Sequence, residues 1–200
     1  LIALKTKNSE ILINGLDLNK SFKVINIKNF KINYRNNQNF LNKLNLRKNN
    51  SDFIIEGESF DASRIVDNIM DSDEGNSSIF EYLNSKIKIK IKKTYIDEVN
   101  YINNLYGSIN YDNNKIDDLQ LEANFPNEKP IKLFVETKDN SEIITRLFSS
   151  YPKPLLRRYD FIKGFDGGFL DFYSSNKEGV SNSVLIIDNF KVKEVPIFAK

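Results

Sequence analysis

No stretch of the chain constrains its fold more than Ser85-Lys86-Ile87-Lys88-Ile89-Lys90-Ile91-Lys92-Lys93, where branched apolar residues and lysines alternate. Side chains on a strand point to opposite faces with a period of two. Ile87, Ile89 and Ile91 therefore share one face, and the lysines share the other. Leu105–Tyr111, Ile116–Phe125 and Ile131–Glu136 repeat the pattern and predict a meander of antiparallel strands with a continuous apolar face. What covers that face decides what the chain does.

The segments before it also read as strands: Leu1–Lys5, Glu10–Leu18 with a turn near Asn14-Gly15, Phe22–Ile27, Phe30–Tyr34, Phe40–Leu46 and Asp52–Glu58. Residues 1–58 thus form an N-terminal β section. Over 59–78 the period changes. Phe60, Ile65, Val66 and Ile69 fall at helical spacing, with Ser59 or Asp61 as cap, and the polar Asp71–Ser78 follows as a loop.

Residues 79–200 make a second section with an embedded helix. After the meander, Ser141–Phe148 is expected to be helical, capped by Asp139 or Ser141, with Ile143, Ile144, Leu147 and Phe148 as its apolar stripe. Pro152 and Pro154 end or restart it, and Leu155–Phe161 is a second helical turn or an irregular connection. Phe165–Tyr173 and Ser183–Lys193 form a last strand pair. Which parity of the latter faces inward stays open, because Val184, Ile186, Phe190 and Val192 are as apolar as Leu185 and Ile187.

With 200 residues the chain can bury a core of its own, but its opening on Leu1 and its close on Pro196-Ile197-Phe198-Ala199-Lys200 read as a section of a longer protein. The net charge is +2 and the lysines are interspersed with acids, so no nucleic-acid partner is expected. The lysines of 86–93 read as a solvated face, the alternative being a face against phosphate head groups.

The chain has no Cys and no His. Thiol nucleophiles, Ser-His-Asp triads, imidazole acid–base steps and ordinary zinc sites therefore lack their central group. Asp117 and Asp118, adjacent on a strand, point to opposite faces and cannot share a proton or a metal. Asp166-Gly167-Gly168 lacks the Lys-Ser/Thr of a phosphate loop. We expect no enzyme, no catalytic residue, no metal and no cofactor. No run is long enough to cross a bilayer and no signal peptide is visible, so a membrane anchor would belong to a segment absent from this chain.

The C-terminal third carries a recognisable order: Val135-Glu136-Thr137, the segment Asp139–Leu147, Gly167-Gly168-Phe169-Leu170, then Ile187-Asp188-Asn189-Phe190-Lys191-Val192 and Pro196. This order resembles the AsmA-like family, in particular its long YhdP-type members, with Asn189 as an extra residue between Asp188 and Phe190. Upstream, Gly57-Glu58-Ser59-Phe60-Asp61-Ala62 is similar to a further segment of that family. The resemblance implies a mainly β fold with minor α, a long antiparallel, strongly curved β-sheet forming a β-groove, with two short amphipathic helices.

It also implies a function: a section of an envelope-spanning, bridge-like protein whose apolar groove carries phospholipid acyl chains between inner and outer membrane. Such a protein is periplasmic and anchored to the inner membrane. Its partners are phospholipid, the membranes at its ends and other envelope proteins. The groove candidates in this chain are Ile87, Ile89, Ile91, Leu119, Leu121, Phe125, Leu133 and Val135, and the same residues could equally form an ordinary closed core. A structural β-scaffold or adhesin-like protein, binding partners through sheet edges, is the alternative from another class.

Overall fold

The computed structural model describes residues 1–20, 22, 24–65, 85–112, 115–138, 141–156 and 165–192. Among the described residues there are fourteen strands: β1 (Ile2–Lys5), β2 (Glu10–Asn14), β3 (Asp17–Leu18), β4 (Val24–Asn26), β5 (Asn29–Arg35), β6 (Leu41–Asn49), β7 (Asp52–Asp61), β8 (Ser85–Tyr95), β9 (Tyr101–Asp112), β10 (Lys115–Asn124), β11 (Pro130–Thr137), β12 (Ile143–Ser149), β13 (Phe165–Lys177) and β14 (Val180–Val192). One short helix, α1 (Lys153–Leu156), precedes β13. All strands except β3 and β4 join a single sheet in chain order, and β3 and β4 pair as a small hairpin of their own.

Every neighbouring pair in the large sheet is antiparallel except β7 and β8, which are parallel. Parallel neighbours cannot be joined by a tight turn. The chain leaves β7 through a helical turn at 63–65, where the Ser63 amide donates to Asp61 Oδ1 at 3.0 Å. Asp61 thus serves as the expected cap, but Phe60 and Asp61 end β7 rather than begin a helix. Ser59 is buried and donates instead to the Leu41 carbonyl at 2.6 Å. The expected helix residues Val66, Ile69 and Met70 and the loop Asp71–Ser78 lie outside the described residues.

The helix expected over Ser141–Phe148 is not formed. Those residues build β12, paired in register with β11 (Leu133 opposite Leu147) and with β13 (Leu147 opposite Phe172). Ser141, expected as a cap, has a φ of 61° in the turn, where the Ser141 amide donates to the Lys138 carbonyl. Ile143, Ile144 and Thr145 are β-branched and favour strand geometry once a neighbouring strand is available on each side.

The three central strands share one irregularity. Between Gly57 and Ser59, β7 advances two residues while β6 advances one, from Leu44 to Lys43. β7, β8 and β9 stay in step with one another, and β9 then has three residues, Tyr106 to Asn103, against the two of β10. A β-bulge therefore runs through all three strands, with Asn104 in left-handed conformation at φ 54°. It shifts the phase of burial in β8 from Ile87 and Ile91 to Thr94. The doubled Lys92-Lys93 is its mark in the sequence.

The sheet is open, with β1 and β14 as its edges, and it is not strongly curled. Mainly β architecture with very little helix is established, while the strong curvature implied by the family resemblance is not present.

Candidate functional site: the apolar face of the sheet

The register aligns one residue from each strand into a row that crosses the whole sheet. It runs Ile2, Ile13, Phe30, Leu46, Ile55, Ile89, Gly107, Leu121, Leu133, Leu147, Phe172 and Leu185, each directly opposite the next. Every member but Gly107 is a large apolar residue. At a strand separation of ~4.8 Å the row spans roughly 50 Å. The continuous apolar direction is therefore across the strands, not along any one of them.

All eight residues singled out from the sequence come together on this face. Ile89, Leu121 and Leu133 belong to the row itself and are half-buried. Ile87, Leu119 and Val135 align with Ile109 in the adjacent row on one side, and Ile91 faces Leu105 in the row on the other. Ile87, Ile91 and Leu119 are buried and Val135 is half-buried. Phe125 lies just beyond β10 and is 1 % exposed, with its ring edge-on to Tyr151 at 5.3 Å.

Three clusters stand on the face. At one end of the central strands, Leu16, Val24 and Ile27 from the β3–β4 hairpin and its flanks pack on Leu46, Phe53 and Ile87. At the other end, Phe125, Ile102 and Ala123 pack with Ile96, Ile131 and Tyr151. Over β12–β14, Leu155 and Leu156 of α1 cover Leu147, Leu170, Phe172 and Ile187. The half-buried Ile89 packs against the first cluster, and the half-buried Leu121 and Leu133 lie between it and the second. Gly107 adds no side chain to the row, and the place a β-carbon would take is filled by the backbone of β10.

The pairing also settles the parity of the last strand. Leu185 and Ile187 lie opposite Phe172 and Leu170 and so belong to the same face as the row, while Val184 and Ile186 lie opposite Tyr173 and Asp171 on the other. The Lys177–Val180 pair closes a two-residue turn with Glu178 and Gly179 both at positive φ, the geometry that matches strand twist in a hairpin.

The opposite face is polar over its central part. Lys86, Lys88, Lys90 and Lys92 are all exposed. Ion pairs link neighbouring strands, Lys43 to Glu58 at 2.6 Å and Lys132 to Glu122 at 2.9 Å. Lys132, and then the hydroxyl of Tyr106 donating to Glu122 at 2.9 Å, hold the Glu122 carboxyl below its ordinary range, and the same hydrogen bond raises the Tyr106 phenol. Burial raises the Tyr111 phenol. Lys93, past the bulge, sits 3.9 Å from the ring centre of Tyr101 and 4.7 Å from that of Tyr95. These are contacts of a solvated, cross-linked surface.

Among the described residues no group of three or more Asp or Glu is placed to hold a metal ion, and no helix is long and apolar enough to cross a membrane. The two features that sequence reasoning missed are the row across the strands, which depends on register, and the bulge, whose signal was the Lys92-Lys93 doublet. No family model, no curated protein and no solved structure matches the chain.

Proposed function

We propose that the chain is a lipid-carrying section of a longer envelope protein of the bridge-like kind, in which phospholipid acyl chains lie along the apolar row that crosses the strands. The observation that supports this reading is the row itself: twelve aligned positions, eleven of them large and apolar, with Ile55 and Ile89 half-buried against one packed cluster and Leu121 and Leu133 half-buried between it and the next. The β3–β4 hairpin and the Phe125–Tyr151 cluster supply the walls of a trough that the sheet does not make by curling. Each buried methylene contributes about 0.8 kcal/mol, so a chain of about fifteen carbons gains on the order of 12 kcal/mol by lying there instead of in water. The head group stays at the open side. No catalytic residue takes part; the protein lowers the cost of moving the tail, and its partners are phospholipid and the membranes at either end of the full-length protein.

Native mass spectrometry with lipid extraction on the gently purified chain tests this. Phospholipid in near-stoichiometric amount is expected, and Ile89→Asp is expected to lose it while keeping the β-sheet circular dichroism signal, because a carboxylate would stand in the path of the tail. A lipid-free, monodisperse wild type sinks the proposal and leaves the apolar face as an ordinary core.

A further inference from the structure

The net charge of +2 conceals a division along the chain. Residues 1–50 hold ten Lys and Arg against two acids, Glu10 and Asp17, and so carry +8, while the remainder holds 19 against 25 and carries −6. Both acids of the basic part are engaged, Glu10 by Lys5 and Lys31, and Asp17 by the side-chain amide of Asn26 at 3.1 Å. Asymmetry of this kind suits a chain that meets a polyanion or a membrane surface. The β3–β4 hairpin projects from this part. Leu16, Val24 and Ile27 hold its base on the sheet, while Leu18, Phe22 and Ile25 stay in water, at 44 %, 84 % and 48 % exposed. Lys20 and Lys28 are exposed along it, and Lys48 reaches its flank, with Nζ donating to Asn26 Oδ1 at 2.7 Å. Phe22 stands in the turn at a φ of 60°, its amide donating to the Asn19 carbonyl at 3.0 Å. A bulky residue rarely takes that conformation, and strain held at an exposed aromatic residue points to a use for the ring.

We propose that the β3–β4 hairpin docks this chain on a bilayer that contains anionic phospholipid. Phe22, Leu18 and Ile25 enter the head-group region, and Lys20, Lys28 and Lys48 meet the phosphates around them. Apolar side chains gain by leaving water at that depth, and each lysine near an anionic surface adds to the attraction. Neither term alone suffices for a small element; the hairpin carries both. A nucleic acid would draw on the same lysines and could stack on Phe22, but it offers no place for the aliphatic Leu18 and Ile25. The proposal goes beyond the lipid-carrying reading, because it concerns the outward side of the hairpin and holds whether or not the trough is filled.

The chain has no tryptophan, so Phe22→Trp places a single fluorescent reporter in the hairpin turn. With vesicles of phosphatidylcholine and phosphatidylglycerol in equal parts, its emission is expected to shift to the blue and to be quenched by brominated acyl chains. With phosphatidylcholine alone, neither change is expected. In co-sedimentation with the mixed vesicles, Phe22→Ser is expected to weaken binding by about tenfold or more, and so is the double variant Lys20→Gln, Lys28→Gln. All three positions are exposed, and an unchanged circular dichroism spectrum shows that the fold is kept. A wild type that stays in the supernatant overturns the proposal. So does binding that needs the lysines but not Phe22, which would be adsorption by charge alone. An oligonucleotide that strips the chain from the vesicles at matched phosphate concentration also overturns it, and would mark the basic part as a nucleic-acid surface. Lipid extracted from the purified chain reports on the trough and vesicle partition on the hairpin, so failure of one reading is told apart from failure of the other.

Discussion

Gly107 runs so close to β10 that a β-carbon on it would stand 1.8 Å from the carbonyl oxygen of Gln120. Its φ of 150° is one that side-chain-bearing residues rarely adopt. The row of apolar residues can therefore pass from Ile89 to Leu121 only over a position with no side chain. Gly107→Ala is expected to cost at least about 2 kcal/mol through strain and clash together. A lowered urea midpoint with an unchanged slope would check it, and a midpoint equal to that of the wild type would refute the close approach.

Thr94 is buried beside Ile102 and Phe60 in the register, and its hydroxyl has no hydrogen-bond partner among the described residues. An unsatisfied buried hydroxyl costs about 1–3 kcal/mol, and replacing it by a methyl of the same shape recovers part of that. Thr94→Val is expected to stabilise the protein by about 1 kcal/mol, read as a higher melting temperature. Destabilisation would mean that the hydroxyl is satisfied in solution.

Phe53 and Ile89 share a face but not a role. Phe53 is 1 % exposed in the cluster under the β3–β4 hairpin, so Phe53→Ala is expected to cost about 3–5 kcal/mol. Ile89 is half-buried, and Ile89→Ala is expected to cost clearly less than that. Equal losses in chemical denaturation would mean that the middle of the face is packed as tightly as its ends, and would argue against an open trough.

Glu10 accepts contacts from Lys31 at 2.7 Å and from Lys5 at 2.8 Å, tying β2 to the strand on either side. The hydrogen bond from Lys31, then that from Lys5, holds its carboxyl down to about 2 from 4.5. A carboxyl whose value is depressed by folding stabilises the native state fully above its unfolded value, and that contribution is lost as the pH falls through the folded one. The β1–β2–β5 end of the sheet is expected to loosen between pH 4.5 and 2. NMR titration of the Glu10 side chain checks this, with Lys31→Met moving its midpoint upward; an unmoved midpoint would discard the pairing.

Strands that keep one face wet were legible in the chain. The Ile-Lys alternation of β8 and the matching patterns of β5, β10 and β11 carry their own period, and each became a strand at about the expected place. β12 was not legible. Its apolar residues Ile144 and Phe148 lie on one face and Leu147 on the other, so the alternation disappears and Ile143, Ile144, Leu147 and Phe148 mimic a helical stripe. β14 hid its inward parity in the same way, by being apolar on both sides.

Outside β12 and the two-sided β14, local sequence determined which segments extend and which side of each repels water, because those preferences arise from side-chain period and branching within a few residues. Tertiary structure alone decided that β7 and β8 run parallel, that three strands share one bulge, and that twelve separate positions line up into a single track. Register is a relation between strands distant in sequence, set when their apolar faces and turns are satisfied together, and no single segment of the chain records it.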